Sequence, residues 1–240
     1  FKVGYGRIFK GPGLPETLMI SDSIKQSADV KAETGNHLEF NLGYDLQRQL
    51  NVDRADIFVN IYQYSIDNYY HPTKNTSLGR SRVDLTMSGI EAGFNLSHND
   101  INAYISYSYD DGENDTGAYV TDNPYSGTHV VKIGADYQIM PSLLVGWNSY
   151  FASKAELVDR SIENGAVMDT DYEKAGYGVT NLWLSYQAPA VAGLSVKLAV
   201  ENAFDKAYQN HNSFGMYWGN AAYNDNEVGR NFKLSVSYQY

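Results

Sequence analysis

Apolar and polar residues alternate one by one along most of this chain. A period of two constrains the fold more than any other feature, because only an extended strand sends successive side chains to opposite faces. The C-terminal run is the clearest: Phe232, Leu234, Val236, Tyr238 and Tyr240 are interleaved with Lys233, Ser235, Ser237 and Gln239. Leu38, Phe40, Leu42, Tyr44 and Leu46 repeat the pattern, as do Val131, Ile133, Ala135 and Tyr137, and Leu194, Val196, Leu198 and Val200. Weaker runs cover Ala55 to Tyr64, Val83 to Leu96, Asn102 to Tyr109, Leu143 to Phe151 and Tyr177 to Tyr186. With Phe1 to Phe9, which lacks the marks of a secretory signal and reads like the middle of a strand, the chain holds about ten strands. Helix-period stretches of useful length are absent.

The connections narrow the architecture further. Long ones (Lys10 to Gly35, Ser65 to Arg82, Asp110 to Gly127, Ala152 to Gly176, Asp205 to Gly229) alternate with short ones (Gln47 to Asn51, Ser97 to Asp100, Met140 to Ser142, Ala188 to Gly193). An up-and-down antiparallel sheet, tight at one rim and extended at the other, has this order, and transmembrane barrels share the asymmetry. Loops longer than about 12 to 15 residues are uncommon in compact domains unless they are functional, so the long rim is the expected working surface. No apolar run reaches the roughly 18 residues of a membrane helix, which leaves a barrel open. Tyrosines make up 21 of the 240 residues. Tyr44, Tyr137, Tyr186 and Tyr240 end runs at the short-turn rim, and Tyr107, Tyr109 and Phe151 end runs at the other, as interfacial girdles require. Asn41, Asp45, Lys132, Asp136, Asn148, Lys197 and Glu201 share the opposite face, which is a lumen in a membrane barrel and the outer surface in a soluble one.

Composition removes several functions. With no Cys there is no disulfide framework, Cys-ligated zinc or cysteine nucleophile. A formal charge of -10 argues against nucleic acid as a partner. His37, His71, His98, His129 and His211 are scattered without an H-x-x-x-H or H-E-x-x-H pair, and no phosphate-binding glycine loop opens a helix, so no catalytic residues, resident metal or cofactor are expected. Asp110, Asp111, Glu113 and Asp115 form an acidic loop without the spacing of a calcium site; a divalent cation bridging lipopolysaccharide there is conceivable.

Three segments carry a family resemblance. Asn202-Ala203-Phe204-Asp205-Lys206-Ala207-Tyr208, then Gly229-Arg230-Asn231 and a last strand closing on Tyr240, resembles the C-terminal end of TonB-dependent outer-membrane receptors. Tyr5-Gly6-Arg7-Ile8-Phe9-Lys10-Gly11-Pro12 is similar to the family's "Y-G-R-x-F-R-A-P", and Lys31-Ala32-Glu33-Thr34 to its "L-K-P-E-T". Gly11 and Ala32 depart from those patterns, which lowers local stiffness. Physically, Pro12 interrupts a strand, Gly229 is expected to take a positive φ as the chain re-enters the sheet, and Arg7 is expected near the outer rim, where its charge escapes the bilayer. The resemblance implies an all-β fold: residues 1–240 as about ten C-terminal strands of a barrel of about 22, without the N-terminal half of the barrel or its plug domain. It further implies a multi-pass β-barrel in the Gram-negative outer membrane, not an enzyme, that binds an iron-siderophore or haem-type ligand on its outer loops. Implied partners are the TonB complex acting through the absent plug segment, outer-membrane lipid and lipopolysaccharide, and the barrel-assembly machinery that reads a terminal strand like this one. Candidate ligand contacts on the long connections are Tyr69, Tyr70 and His71, and His211 with Met216, Tyr217 and Trp218, since such rings stack on aromatic ligands. Haem receptors of this kind often carry a His in the loop after the first strand; none stands between Lys10 and Glu33. An outer-membrane barrel enzyme and a soluble all-β binding protein are the alternatives.

Overall fold

The computed structural model describes residues 1–11, 31–71, 81–114, 127–163, 166–211 and 226–239. The strands are β1 (Lys2–Lys10), β2 (Glu33–Asp45), β3 (Arg54–His71), β4 (Ser81–His98), β5 (Ile101–Asn114) and β6 (Thr128–Met140). They continue with β7 (Leu143–Ala152), β8 (Ala155–Glu163), β9 (Ala166–Lys174), β10 (Tyr177–Gln187), β11 (Leu194–Glu201) and β12 (Asn231–Tyr238). Ten of them form one sheet in the order β1-β2-β3-β4-β5-β6-β7-β10-β11-β12, every pair antiparallel. This is the expected meander, with β1 and β12 as its two edges.

Register explains the alternation. One row across the sheet is Leu42, Val59, Ala92, Tyr107, Val131 and Phe151; another is Leu96, Ala103, Ala135, Trp147, Leu182, Val200 and Phe232. Both lie on the same face, and a slip of one residue in any strand would send its apolar set to the other side. Many of these side chains are exposed (Leu42, Trp147, Phe151, Leu182 and Phe232 among them), so no element among the described residues packs across this face. The opposite face carries the row Asp45, Asp56, Asn95, Tyr104, Gly134, Asn148 and Asn181, with Asn95 donating to Asp56 and Asn181 to Asn148. An apolar outer face and a hydrogen-bonded polar inner face form the division of a transmembrane barrel wall. On the outer face Tyr44, Tyr137, Tyr186 and Tyr238 end their runs at the short turns, and Tyr107 and Tyr109 at the long connections. Phe40 and Trp147 sit mid-strand, while Phe151 joins the tyrosines at the long-connection rim.

The structure corrects three expectations and adds a detail to one short turn. The Ala152 to Gly176 connection contains the β8–β9 hairpin, a separate two-stranded sheet. The Gln47 to Asn51 turn holds a short helix, α1 (Gln47–Leu50), closed by Asn51 at φ 53°. Tyr69, Tyr70 and His71 belong to β3 instead of a loop. Pairing resumes there (Tyr69 with Val83, His71 with Ser81) past a bulge after Ile66, where Asn68 turns to φ 58° and its N–H donates to Asp84. Asp110 and Asp111 lie within β5, where strand pairing with β4 carries on to Asn114, so these two are not loop residues.

The inner face reconciles large rings with close strands by facing them with glycine. Trp183 covers Gly146, Phe58 covers Gly93 and Tyr104 covers Gly134, where a Cβ would lie 2.8 Å from the Tyr104 ring. These are cross-strand neighbours, and the ring fills the space that glycine leaves.

Candidate functional site on the inner wall

Two groups of side chains mark the inner face near the long connections. The first spans β2 to β5. His37 stacks on Tyr64 with ring centroids 4.2 Å apart, Tyr62 meets the edge of Tyr64, and the Tyr62 hydroxyl donates to Asp110. Glu39 Oε2 is 3.9 Å from His37 Nε2. Parity places all of them on the polar face, and register brings them side by side: Glu39 pairs with Tyr62, and His37 with Tyr64.

The second group is built on β6, β7 and β10. Val130, Ala152, Tyr177 and Val179 form the buried apolar cluster, with Tyr150 and Tyr208 packed against it. Tyr177 stacks between Tyr150 (5.6 Å) and Tyr208 (4.5 Å) and meets His211 edge-on at 5.2 Å. His211 is 1% exposed; its Nε2 lies 3.3 Å from the Ala175 carbonyl, which can only accept, so Nε2 carries the proton. Desolvation then pushes the imidazole pKa down, opposed by the Ala175 bond and reinforced by Lys174. Burial, with Glu227 and Glu201 nearby, pushes the Tyr208 hydroxyl up.

Residues 202 to 211 reach this cluster because Asn202 fixes their start. Asn202 is 3% exposed at φ 49°, a conformation Asn tolerates better than branched residues. Its N–H donates to Asn181 Oδ1, its Oδ1 accepts from the Lys206 N–H, and its Nδ2 donates to the carbonyls of Lys206 and Val228. Asp205, at φ 56°, accepts the Arg230 N–H at 2.8 Å. Both ends of the last long connection are thereby tied together.

The sequence-predicted residues fare differently. Asn202, Asp205, Gly229 and Arg230 converge in that junction. Gly229 does not have the expected positive φ; Asn202 and Asp205 supply the turn, and Gly229 is small because a Cβ would lie 2.7 Å from Asp205 Oδ1. Phe204 points to solvent, 77% exposed. Arg7 pairs with Asn36, and the row continues through Ser65 and Thr86, a polar strip beyond the apolar band. Glu33 accepts from Lys10 at 3.0 Å. His211 is 1% exposed and meets Tyr177 of the inner cluster edge-on. Tyr69 is half-buried on β3, while the side chains of Tyr70 and His71 lie outside the described part. Pro12, Met216, Tyr217, Trp218 and Tyr240 lie outside the described residues, as do Asp115 and the Glu113 side chain. Sequence reasoning missed Asn181, Lys174, Tyr177 and the His37–Tyr64 pair. Strand parity alone would have put Asn181, His37 and Tyr64 on the polar face, but nothing local marks Lys174.

Comparison with known proteins agrees with the fold. The family model described as TonB dependent receptor-like, beta-barrel matches residues 1–203. The chain is 29% identical over 149 residues to the TonB-dependent heme receptor A of Haemophilus influenzae, covering 57% of this chain and 18% of that protein. Among solved structures, the copper transporter OprC superposes with a TM-score of 0.74 at 21% identity, covering 99% of this chain and 37% of that one. The ferripyoverdine receptor of the outer membrane of Pseudomonas aeruginosa gives 0.68 at 16% identity, covering 98% and 30%. The FrpB iron transporter of Neisseria meningitidis gives 0.67 at 20% identity, covering 90% and 32%. The chain spans about a fifth of the length of the curated relatives it matches, and the structural likenesses carry the fold alone. A family match over most of the residues, on a wall with one apolar and one polar face, settles the membership: the chain belongs to the TonB-dependent receptor-like β-barrel family.

Proposed function

We propose that residues 1–240 form part of the barrel wall and loops of an outer-membrane receptor that captures a scarce extracellular ligand, an iron-siderophore or haem, and imports it with TonB-derived energy. The observation that carries this reading is the unclosed ten-stranded meander, apolar outside and polar inside, with its long connections all at one end. Unpaired strand edges are not tolerated in lipid, so β1 and β12 pair with further strands of a larger barrel, which with a plug domain would complete the transporter. The relatives support the ligand class by what their names say they take: heme, iron, ferripyoverdine and copper. The outer face would meet membrane lipid, and the long rim would face lipopolysaccharide. The chain's part is to shape the passage and present side chains, with no bond making or breaking.

The test is a binding screen of ferric siderophores, haem and cobalamin against the full-length receptor in detergent, followed by uptake in cells with and without TonB. Saturable binding of one class, with uptake lost without TonB, is the expected result. A folded barrel that binds none of them, or uptake indifferent to TonB, would overturn the reading. Replacing Tyr70 and His71 together by Ala is expected to weaken binding of the cognate ligand; unchanged affinity removes that end of β3 from the site.

A further inference from the structure

The two longest connections, Ala152 to Tyr177 and Glu201 to Asn231, are joined at their bases by a pair of buried side chains. Lys174, the last residue of β9, is 1% exposed and its Nζ donates to the Asn210 carbonyl at 2.9 Å. His211, the next residue of the other connection, is equally buried and holds the Ala175 carbonyl. Each connection therefore contributes one side chain that grips the backbone of the other. Around them Tyr208 and Tyr177 stack, and the wall below is the apolar cluster.

We propose that Lys174 and His211 latch the bases of the two connections to each other, and that the latch opens when His211 takes up a proton. The chemistry lies in which nitrogen is free. With Nε2–H committed to Ala175, a second proton must go to Nδ1, which is buried and has no hydrogen-bond partner among the described residues. The imidazolium formed there would have an unsatisfied donor and a like charge beside it. Among the described residues, Lys174 at the end of β9, the Ala175 carbonyl and Tyr177 of β10 face His211, and Tyr208 from its own segment stacks on the far side of Tyr177. Glu201 and Glu227 act on Tyr208, and among the described residues no carboxylate contacts His211. The sign follows from burial favouring the neutral ring. Docking is fully favourable above the free imidazole value of about 6.5 and is lost as pH falls below it, up to about ten-fold in the closed-to-open ratio per pH unit until the docked ring itself titrates. This inference does not depend on which ligand the receptor takes.

The chain contains no Cys, which makes paired labelling direct. In the full-length receptor in nanodiscs, freed of any other reactive cysteine, nitroxides at Ala190→Cys in a short turn and Ala207→Cys in the last connection report one distance. Ala190→Cys with Ala166→Cys in the β8–β9 hairpin reports the other. Both distributions are expected to be narrow at pH 7.5 and to broaden together between pH 6.5 and 5, reversibly. His211→Gln, whose amide can still donate to Ala175 without titrating, is expected to stay narrow throughout. Wild-type distributions unchanged at pH 5, two connections that broaden independently, or a folded His211→Gln variant that broadens as wild type does would each overturn the proposal. The wild-type titration tests it without any variant, and heat-modifiable migration reports whether the barrel is intact.

Discussion

Asn202 shows how much structure one residue can organise. It is buried at a positive φ, and its side chain and N–H reach Asn181, Lys206 and Val228. Asn202→Ala would strand those partners and strain the backbone. The expected cost is about 1 to 3 kcal/mol, read as faster proteolysis of the last connection in an otherwise heat-modifiable barrel. Asn202→Gly, which relieves the backbone and still lacks the amide, separates the two causes. Glycines give a second contrast. At Gly134 a Cβ would meet the Tyr104 ring at 2.8 Å and the Trp147 carbonyl at 2.9 Å, while at Gly6 nothing lies within 4 Å. Gly134→Ala should therefore destabilise by about 1 to 3 kcal/mol in a urea titration. Gly6→Ala should be near neutral, and equal effects would remove the steric account.

At the scale of the strand, the decisive property is which face a residue occupies. Leu182 lies in a row with Trp147, Val200 and Phe232, whereas Trp183 points inward over Gly146 with Lys197 Nζ 5.2 Å from its ring. An arginine on the lipid face at mid-depth costs about 2 to 4 kcal/mol. In the complete barrel Leu182→Arg is expected to lose that much folding stability, and Trp183→Arg less, since a charge there lies on the polar face away from lipid, even with Lys197 beside it. Reversed sensitivities in a side-by-side unfolding titration would reverse the inside and the outside.

At the scale of the molecule, the sheet has two edges and a bare apolar face. Residues 1–240 expressed alone are expected to self-associate in micelles through β1 and β12. Joined to the remaining strands they are expected to give a monomeric, heat-modifiable species. Size-exclusion chromatography with light scattering checks both, and a stable monomer of the isolated chain would mean that its edges are satisfied by each other.

The ten strands of the main sheet, their order and the inside–outside division were legible in the sequence, while the β8–β9 hairpin was not, because in a meander neighbours in the chain are neighbours in the sheet, and period two assigns each side chain to a face without reference to anything distant. The junction of Asn202, Asp205 and Gly229 was legible only as a motif; the pattern named the residues and misassigned the positive φ, since the turn is shared among residues that meet only across 25 positions of chain. The strand ends were misread at Tyr69 to His71 and at Asp110, where cross-strand pairing continues through polar residues that look like loop. The sequence offers His211 as a ligand contact on a long connection. Only the tertiary structure could turn it inward, because its burial is decided by Lys174 and Tyr177, residues more than thirty positions away that no local pattern connects to it.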